Sequence, residues 1–341
     1  MNLQKAESIM EGTATVVKHT GSHYLLAQLP SWRLFPAVLR GKVRLGGSSA
    51  TNPVAVGDRV EFHADGDLFP DGSVPASETA PAAITRILPR RNYIIRKSVN
   101  LSRQAHIIAA NVDHAFIVVT LAFPEVKLPF IDRLLVTCEV YGVKPVIVLN
   151  KIDIVDEFRD DFAPALENFH RIYERAGYSI LEVSAKTGRG VDELRRLCLE
   201  KSEDGAPGIS LFSGVSGVGK SSLIKAMDPS LNPKTGLISE AHLQGRHTTT
   251  FYEMYPLCGG EGCIIDTPGI RGFGLVDLEP EEISLYFPEM LKAASGCRFT
   301  PCTHTHEPGC AVKVAVDEGT ISRERYASYL GMLEEYTKYR K

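Results

Sequence analysis

The chain has 341 residues, 44% hydrophobic and 23% charged, with a formal net charge of −3. That is enough chain for two or three globular domains, and too ordinary a balance for a disordered or fibrous protein. The N-terminus carries Lys5, Glu7 and Glu11 without an apolar core, which predicts no secretory signal; the longest apolar stretch, around 115–123, is too short to span a bilayer. Seven cysteines, an odd count, predict reduced thiols and a cytoplasmic protein rather than a disulfide framework. Charge is uneven: the first 103 residues hold 13 Lys/Arg against 8 Asp/Glu, the remainder 25 against 33. A basic N-terminal part on an acidic body points to a nucleic-acid-facing module.

In chain order, GTATVVKHT, SHYLLAQLP, FPAVLRGKVRL, AVGDRVEFHA and AAITRILP alternate enough to predict strands, separated by Gly46-Gly47-Ser48-Ser49 and a loose stretch at 65–81. Five short strands predict a small β-barrel, with an OB-fold the leading choice among such barrels. From residue 111 strands and helices alternate. HAFIVVTLAF, KPVIVLNKID, YSILEVSAK and GISLFSGVSG read as strands; PFIDRLLVTCEVYG, 156–177 and VDELRRLCLEK read as helices. This alternation predicts an α/β domain with a parallel sheet under helices, the P-loop type once its motifs are read. Beyond Gly274, 280–294 and 321–339 read as helices flanking a Cys/His segment. The expected division is a barrel at 1–103, an α/β domain at 104–274 and a helical metal-binding domain at 275–341.

Gly214-Val215-Ser216-Gly217-Val218-Gly219-Lys220-Ser221, followed by Ser222, matches GxxxxGK[ST] between a strand and a helix. Its glycines let backbone N–H groups turn around phosphate oxygens, and the helix N-terminus adds its positive end. Lys220 is suited to the β- and γ-phosphates and Ser221 to Mg2+. Asp266-Thr267-Pro268-Gly269 follows the strand GCIID. An Asp there can hold magnesium through water and Gly269 can donate its N–H to a γ-phosphate, although alone the segment reads as a plain turn. Asn150-Lys151-Ile152-Asp153 closes another strand. The Asp153 carboxylate can accept hydrogen bonds from N1 and N2 of guanine, a donor pair that adenine lacks. Ser184-Ala185-Lys186 ends the next strand and can brace the base from the other side. All four stand at strand C-termini, where α/β sheets bind ligands.

Ordinary small GTPases run P-loop, DxxG, NKxD, SAK. Here NKID and SAK come first, so the GTPase domain is circularly permuted and the segment after DTPG leads straight into the C-terminal part. Ras-type enzymes orient the attacking water with a Gln after DxxG; Ile270 holds that place and predicts weak turnover by the protein alone. Cys297-x4-Cys302-x-His304-x5-Cys310 supplies three thiolates and an imidazole within fourteen residues, a set suited to one closed, structural zinc site, with His306 a rival fourth ligand.

The permuted order, the barrel and the Cys/His cluster together resemble one bacterial family, the ribosome small-subunit-dependent GTPases (RsgA, also called YjeQ or YloQ). GDRVEF, Asn111-Val112-Asp113, Ile131-Asp132-Arg133, Gly245-Arg246-His247-Thr248-Thr249-Thr250 and DTPGIRGFGL match it as well. The resemblance implies a late assembly factor for the 30S subunit that binds 16S rRNA and hydrolyses GTP to GDP under stimulation by the subunit. It implies rRNA contact through the barrel, with Arg40, Lys42, Arg44, Arg90, Arg91, Arg96 and Lys97 as candidate phosphate contacts. It also places switch I at 235–250, where Thr249 would close over Mg2+ and the γ-phosphate; His247 is the candidate water-orienting group. A cytoplasmic monomer without membrane contact is expected. The alternative is a GTP-dependent binding switch for another RNA with little catalysis of its own, which Ile270 favours.

Overall fold

The computed structural model describes residues 9–40, 54–69, 71–97, 105–231, 252–266 and 278–339. The chain divides into two compact units, one of 1–113, 196–211 and 230–268, the other of 114–195, 212–229 and 269–341.

In the first unit, β1 (Ile9–Thr20), β2 (His23–Gln28), β3 (Arg33–Leu39), β4 (Arg59–Asp65) and β5 (Ala82–Ile87) are the five strands that alternation predicts. β1 pairs antiparallel with β2 and with β4, β2 with β3, and β4 with β5, while β3 and β5 run parallel. The ladder closes in the order β1-β2-β3-β5-β4-β1, an OB-like barrel. The length of β1 makes closure possible: Ile9 to Thr15 faces β4, Thr15 to Thr20 faces β2, and the register shifts between Val16 and Lys18. Inward side chains, among them Val16, Leu26, Phe35, Val60, Phe62 and Ile84, fill the barrel. The described part of 65–81 folds into turns, with the Phe69 N–H bonded to the Ser73 carbonyl at 3.0 Å.

A hairpin that the sequence did not suggest, β6 (Tyr93–Lys97) with β7 (Ala105–Ala110), spans the expected boundary at 103. Near it, Asp58 of GDRVEF is fully buried and takes both Nε and Nη2 of Arg90 at 2.6 Å. Asn111 accepts the Arg91 N–H at 2.9 Å and donates to the Gly57 carbonyl at 2.9 Å. Asp113 accepts from the Ser202 hydroxyl at 2.6 Å and the Ile209 N–H at 2.7 Å. Two of the family-like stretches are therefore built into the scaffold of this unit. Its remaining strands are β12 (Glu253–Leu257) and β13 (Gly262–Asp266), with the first residues of β11 (Gly208–Ser213); β12 and β13 pair antiparallel and β12 meets β1 at Lys18↔Glu253.

The second unit holds β8 (His114–Val119), β9 (Lys144–Leu149) and β10 (Ile180–Glu182), parallel throughout. Every residue of β8 is buried, as a strand covered on both faces requires. Helices α1 (Leu128–Val140), α2 (Ile152–Glu157), α3 (Arg159–Arg175), α4 (Val191–Cys198) and α5 (Lys220–Met227) accompany the α/β part. The single helix expected over 156–177 is two: Phe158 leaves helical backbone at φ −113, ψ 47, and Asp160 and Asp161 favour a fresh N-terminus after it. Likewise 280–294 splits into a 3-10 segment (Pro280–Tyr286) and α6 (Pro288–Ala294), because the residue before Pro288 is pushed to extended backbone. α7 (Ala311–Asp317) and α8 (Arg323–Tyr339) follow.

Arg325 of α8 is 1% exposed. Its guanidinium holds Asp132 of α1 at 2.9 Å and Glu289 of α6 at 2.7 and 3.0 Å, with the Phe287 ring 4.7 Å away. Burial raises the Asp132 carboxyl, and Arg325 opposes that shift. The neighbouring Arg133 reaches Glu335 at 2.5 Å, so Asp132-Arg133 fastens α1 to α8. No helix among the described residues is long and apolar enough to cross a membrane.

Candidate guanine-nucleotide site and metal cluster

The loop after β11 turns on glycine. Gly214, at φ 153, lies so close to the Val118 carbonyl that a Cβ would collide with it. Gly217 and Gly219, at φ 86 and 95, occupy the left-handed region that costs glycine least. Gly219 caps α5, whose first-turn N–H groups have no acceptor within the helix, the usual basis of a phosphate site. Lys220 opens the helix and its Nζ donates to the Gly214 and Val215 carbonyls at 2.7 and 3.2 Å. Ser221 and Ser222 follow in the same turn.

Asn150 joins three turns. It is 2% exposed; its Nδ2 donates to the Val218 carbonyl at 2.7 Å and its Oδ1 accepts the Ala185 N–H at 3.3 Å. Its own N–H bonds to the Val119 carbonyl at 2.8 Å. A Cβ on Gly219 would collide with Nδ2, so the phosphate loop can close on Asn150 only with glycine there. Lys151 adopts left-handed backbone at φ 63 and turns the chain directly into α2, with Ile152 buried beneath and Asp153 in the first turn. Asp153 Oδ1 accepts from the Ser184 hydroxyl at 2.6 Å, and Lys186 Nζ lies 3.7 Å from Oδ2. Ser184 Oγ in turn accepts the Thr187 N–H at 3.1 Å. The carboxylate is thus oriented from behind by Ser184. The sequence reading missed the loop at 120–126: Lys151 Nζ donates to the Phe123 carbonyl, and Pro124 packs beside Gly217. A Phe-Pro pair after a buried strand was its only sign.

Asp266 ends β13, opposite Glu253. Its side chain, with Gly269, Ile270, His247 and Thr249, lies outside the described residues.

Cys297, Cys302, His304 and Cys310 present ligand atoms all within 4.8 Å of one another. Cys297 Sγ is 3.9 Å from Cys310 Sγ and 3.6 Å from His304 Nδ1, which is 3.4 Å from Cys310 Sγ. A tetrahedral zinc centre with ordinary bond lengths separates its ligands by about 3.6–3.8 Å, so the donor set and its spacing fit that ion. His304 is buried and left-handed at φ 56; the rival His306 is exposed. The Tyr326 and Tyr329 hydroxyls hold the carbonyls of His304 and Thr303 at 2.6 Å, and Glu307 clamps Thr303 and Thr305. Burial holds the His304 imidazole below the ordinary histidine range, which keeps it neutral as a ligand must be.

Among the seven basic candidates, Arg40 is exposed beyond β3. Arg90 needs correction: its side chain is 10% exposed and committed to Asp58, so it holds the scaffold rather than a phosphate. Arg91 reaches Asp113 at 2.8 Å and the Asn111 carbonyl at 3.1 Å and is similarly engaged. Lys42 and Arg44 lie outside the described residues, as do the side chains of Arg96 and Lys97 on β6.

A family model described as RsgA GTPase matches residues 87–276. A small ribosomal subunit biogenesis GTPase RsgA of Flavobacterium johnsoniae is 45% identical over 322 residues, 94% of this chain and 93% of that protein. Its namesake in Bacteroides fragilis is 46% identical over 327 residues, 95% and 98% of the two chains. The crystal structure of YjeQ from Thermotoga maritima superposes with a TM-score of 0.71 at 32% identity, covering 96% of this chain and 98% of that one. YloQ, described as a circularly permuted GTPase, shares the fold with a TM-score of 0.67 at 24% identity, over 100% and 99% of the chains.

Proposed function

The chain belongs to the RsgA GTPase family, and from that premise we propose that it hydrolyses GTP to GDP as an assembly factor of the small ribosomal subunit. The observation that carries the reading is the Asn150 junction, which joins the phosphate loop, NKID and SAK into one guanine-nucleotide site. Relatives matched over nearly the full chain are named for small-subunit biogenesis.

Asp153, oriented by Ser184, accepts the N1 and N2 hydrogens of guanine. The loop N–H groups and Lys220 leave the loop's own carbonyls for the phosphates, and their fixed charge favours the transition state. Ser221 and Thr249 would hold Mg2+, which neutralises charge on the β- and γ-phosphate oxygens; Asp266 and Gly269 stand in the chain where DxxG residues serve that end. His247 orients the attacking water in place of the Gln that Ile270 replaces, and the subunit brings it into position. That arrangement makes hydrolysis depend on the 30S particle. The barrel contacts 16S rRNA through Arg40 and, as further candidates, Lys42, Arg44, Arg96 and Lys97. Cys297, Cys302, His304 and Cys310 would hold one zinc ion that stabilises the C-terminal segment. We assign these roles to domains at 1–103, 104–274 and 275–341 of a cytoplasmic monomer.

Single-turnover GTP hydrolysis with and without 30S subunits tests the reading, alongside co-sedimentation with 30S or 50S particles in GDP and a non-hydrolysable GTP analogue. Stimulation of at least about tenfold is expected, with 30S binding favoured by the GTP analogue. Absence of stimulation and indifference between the particles would return the chain to the alternative, a binding switch for another RNA.

A further inference from the structure

The loop between β8 and α1 touches both halves of the nucleotide site. Lys151, two residues from the base-reading Asp153, donates its Nζ hydrogen to the Phe123 carbonyl. Pro124 Cδ lies 3.5 Å from where a Cβ on Gly217 would stand, so the same loop rests against the phosphate loop. It is closed on itself by the Thr120 hydroxyl donating to the Pro124 carbonyl and by the Val126 N–H donating to the Thr120 carbonyl at 3.1 Å. None of these ties uses the Phe123 ring. Phe123 is 72% exposed, more than any other large hydrophobic residue among the described residues. Its backbone is held at φ 51, a left-handed conformation that a bulky side chain adopts only under constraint and that concentrates at ligand clamps.

We propose that Phe123 is a nucleotide-contacting residue whose ring packs over the guanosine moiety of GTP or GDP on the Lys151 side, slowing release. The proposal rests on the guanine-nucleotide reading above. A base held by Asp153 must pass close to the Lys151 stem, and that stem ends on the residue that carries the ring. An aromatic face suits a purine by stacking and a ribose by C–H contact.

The test uses the full chain with Trp32, its single tryptophan, changed to Phe. In that background Phe123→Trp should show a fluorescence quench that saturates with GDP at the Kd given by equilibrium dialysis. ADP and tripolyphosphate, the latter filling the phosphate loop without a base, should not produce it. In the natural background Phe123→Ala should weaken GDP binding about three- to tenfold, chiefly through faster release in a chase experiment, and Phe123→Tyr should restore it. Unchanged affinity in Phe123→Ala, an absent quench, or a quench that tripolyphosphate reproduces would each overturn the proposal. Failure of the Trp32→Phe parent and the natural chain to bind GDP would instead overturn the nucleotide reading, and the proposal with it.

Discussion

The candidate nucleotide site and the Cys/His cluster are built from opposite materials. The first is mostly backbone: three glycines at 214, 217 and 219, the N–H groups of a helix end, and one buried side chain, Asn150, that ties three turns together. The second is four side chains from one short segment, their ligand atoms already gathered. A backbone site depends on the whole α/β unit for its shape. A side-chain site depends on its ligands and the clamp beneath them, here Glu307, Tyr326 and Tyr329. The two should therefore fail separately.

Metal removal gives the largest expected effect. Structural zinc in small modules contributes on the order of 10 kcal/mol to folding. A strong chelator, or Cys302→Ser, should remove most of the hydrogen-exchange protection over 297–317 while GDP affinity stays near that of the intact chain. Parallel loss of GDP binding would show that the two sites are not independent. Next is Lys220→Ala, expected to slow subunit-stimulated hydrolysis by about 10²–10³-fold through loss of charge beside the transferred phosphoryl group, with the metal-bound segment equally protected. Asp153→Asn removes the carboxylate proposed to accept two hydrogen bonds from guanine. Competition binding should show guanine affinity down about a hundredfold with inorganic triphosphate binding retained, which separates base recognition from the phosphate loop.

The two materials also differ in how far a sequence discloses them. The phosphate loop, NKID, SAK and the Cys/His run are local patterns whose chemistry survives being read as a string. The barrel is legible too, because inward residues such as Val60 and Phe62 alternate with outward ones. What stays hidden is partnership at a distance. Arg325 meets Asp132 across 193 positions, and no periodicity announces the pair. Arg90 reads as a phosphate contact until Asp58 stands opposite it. Asn150 reads as part of a base-binding motif, while its contacts make it the strut between that motif and the phosphate loop. Spacing does not choose between His304 and His306; the gathering of the His304 ring with the three thiols does. Helical periodicity runs through Phe158 undisturbed, so the break there needed backbone angles to find.

The smallest expected effect is a pH dependence confined to the Cys/His segment. Burial lowers the His304 pKa from its ordinary value of 6.5, with Glu307 pulling the other way. Between the ordinary and the lowered value the unfolded chain binds more protons than the folded one, so acidification favours unfolding. The stability from a neutral, buried His304 is present above about pH 6.5 and is lost as pH falls through the lowered folded value. Glu307 has the same sign further down. Burial works against its charge, but bonds from the Thr303 hydroxyl and the Thr303 and Thr305 N–H groups pull its carboxyl from 4.5 to about 2, so its contribution disappears only across that lower window. In metal-free protein, the exchange protection that remains over 297–317 should therefore decline as pH falls below about 6.5, and His304→Gln should flatten that decline while leaving the lower, Glu307-dependent step. In metal-loaded protein the same acidification should release the ion, because protons compete for thiolate and imidazole alike. GDP release measured in the same samples decides whether the loss stays local: an unchanged rate keeps the two sites independent, and a rising one would tie the cluster to the nucleotide site.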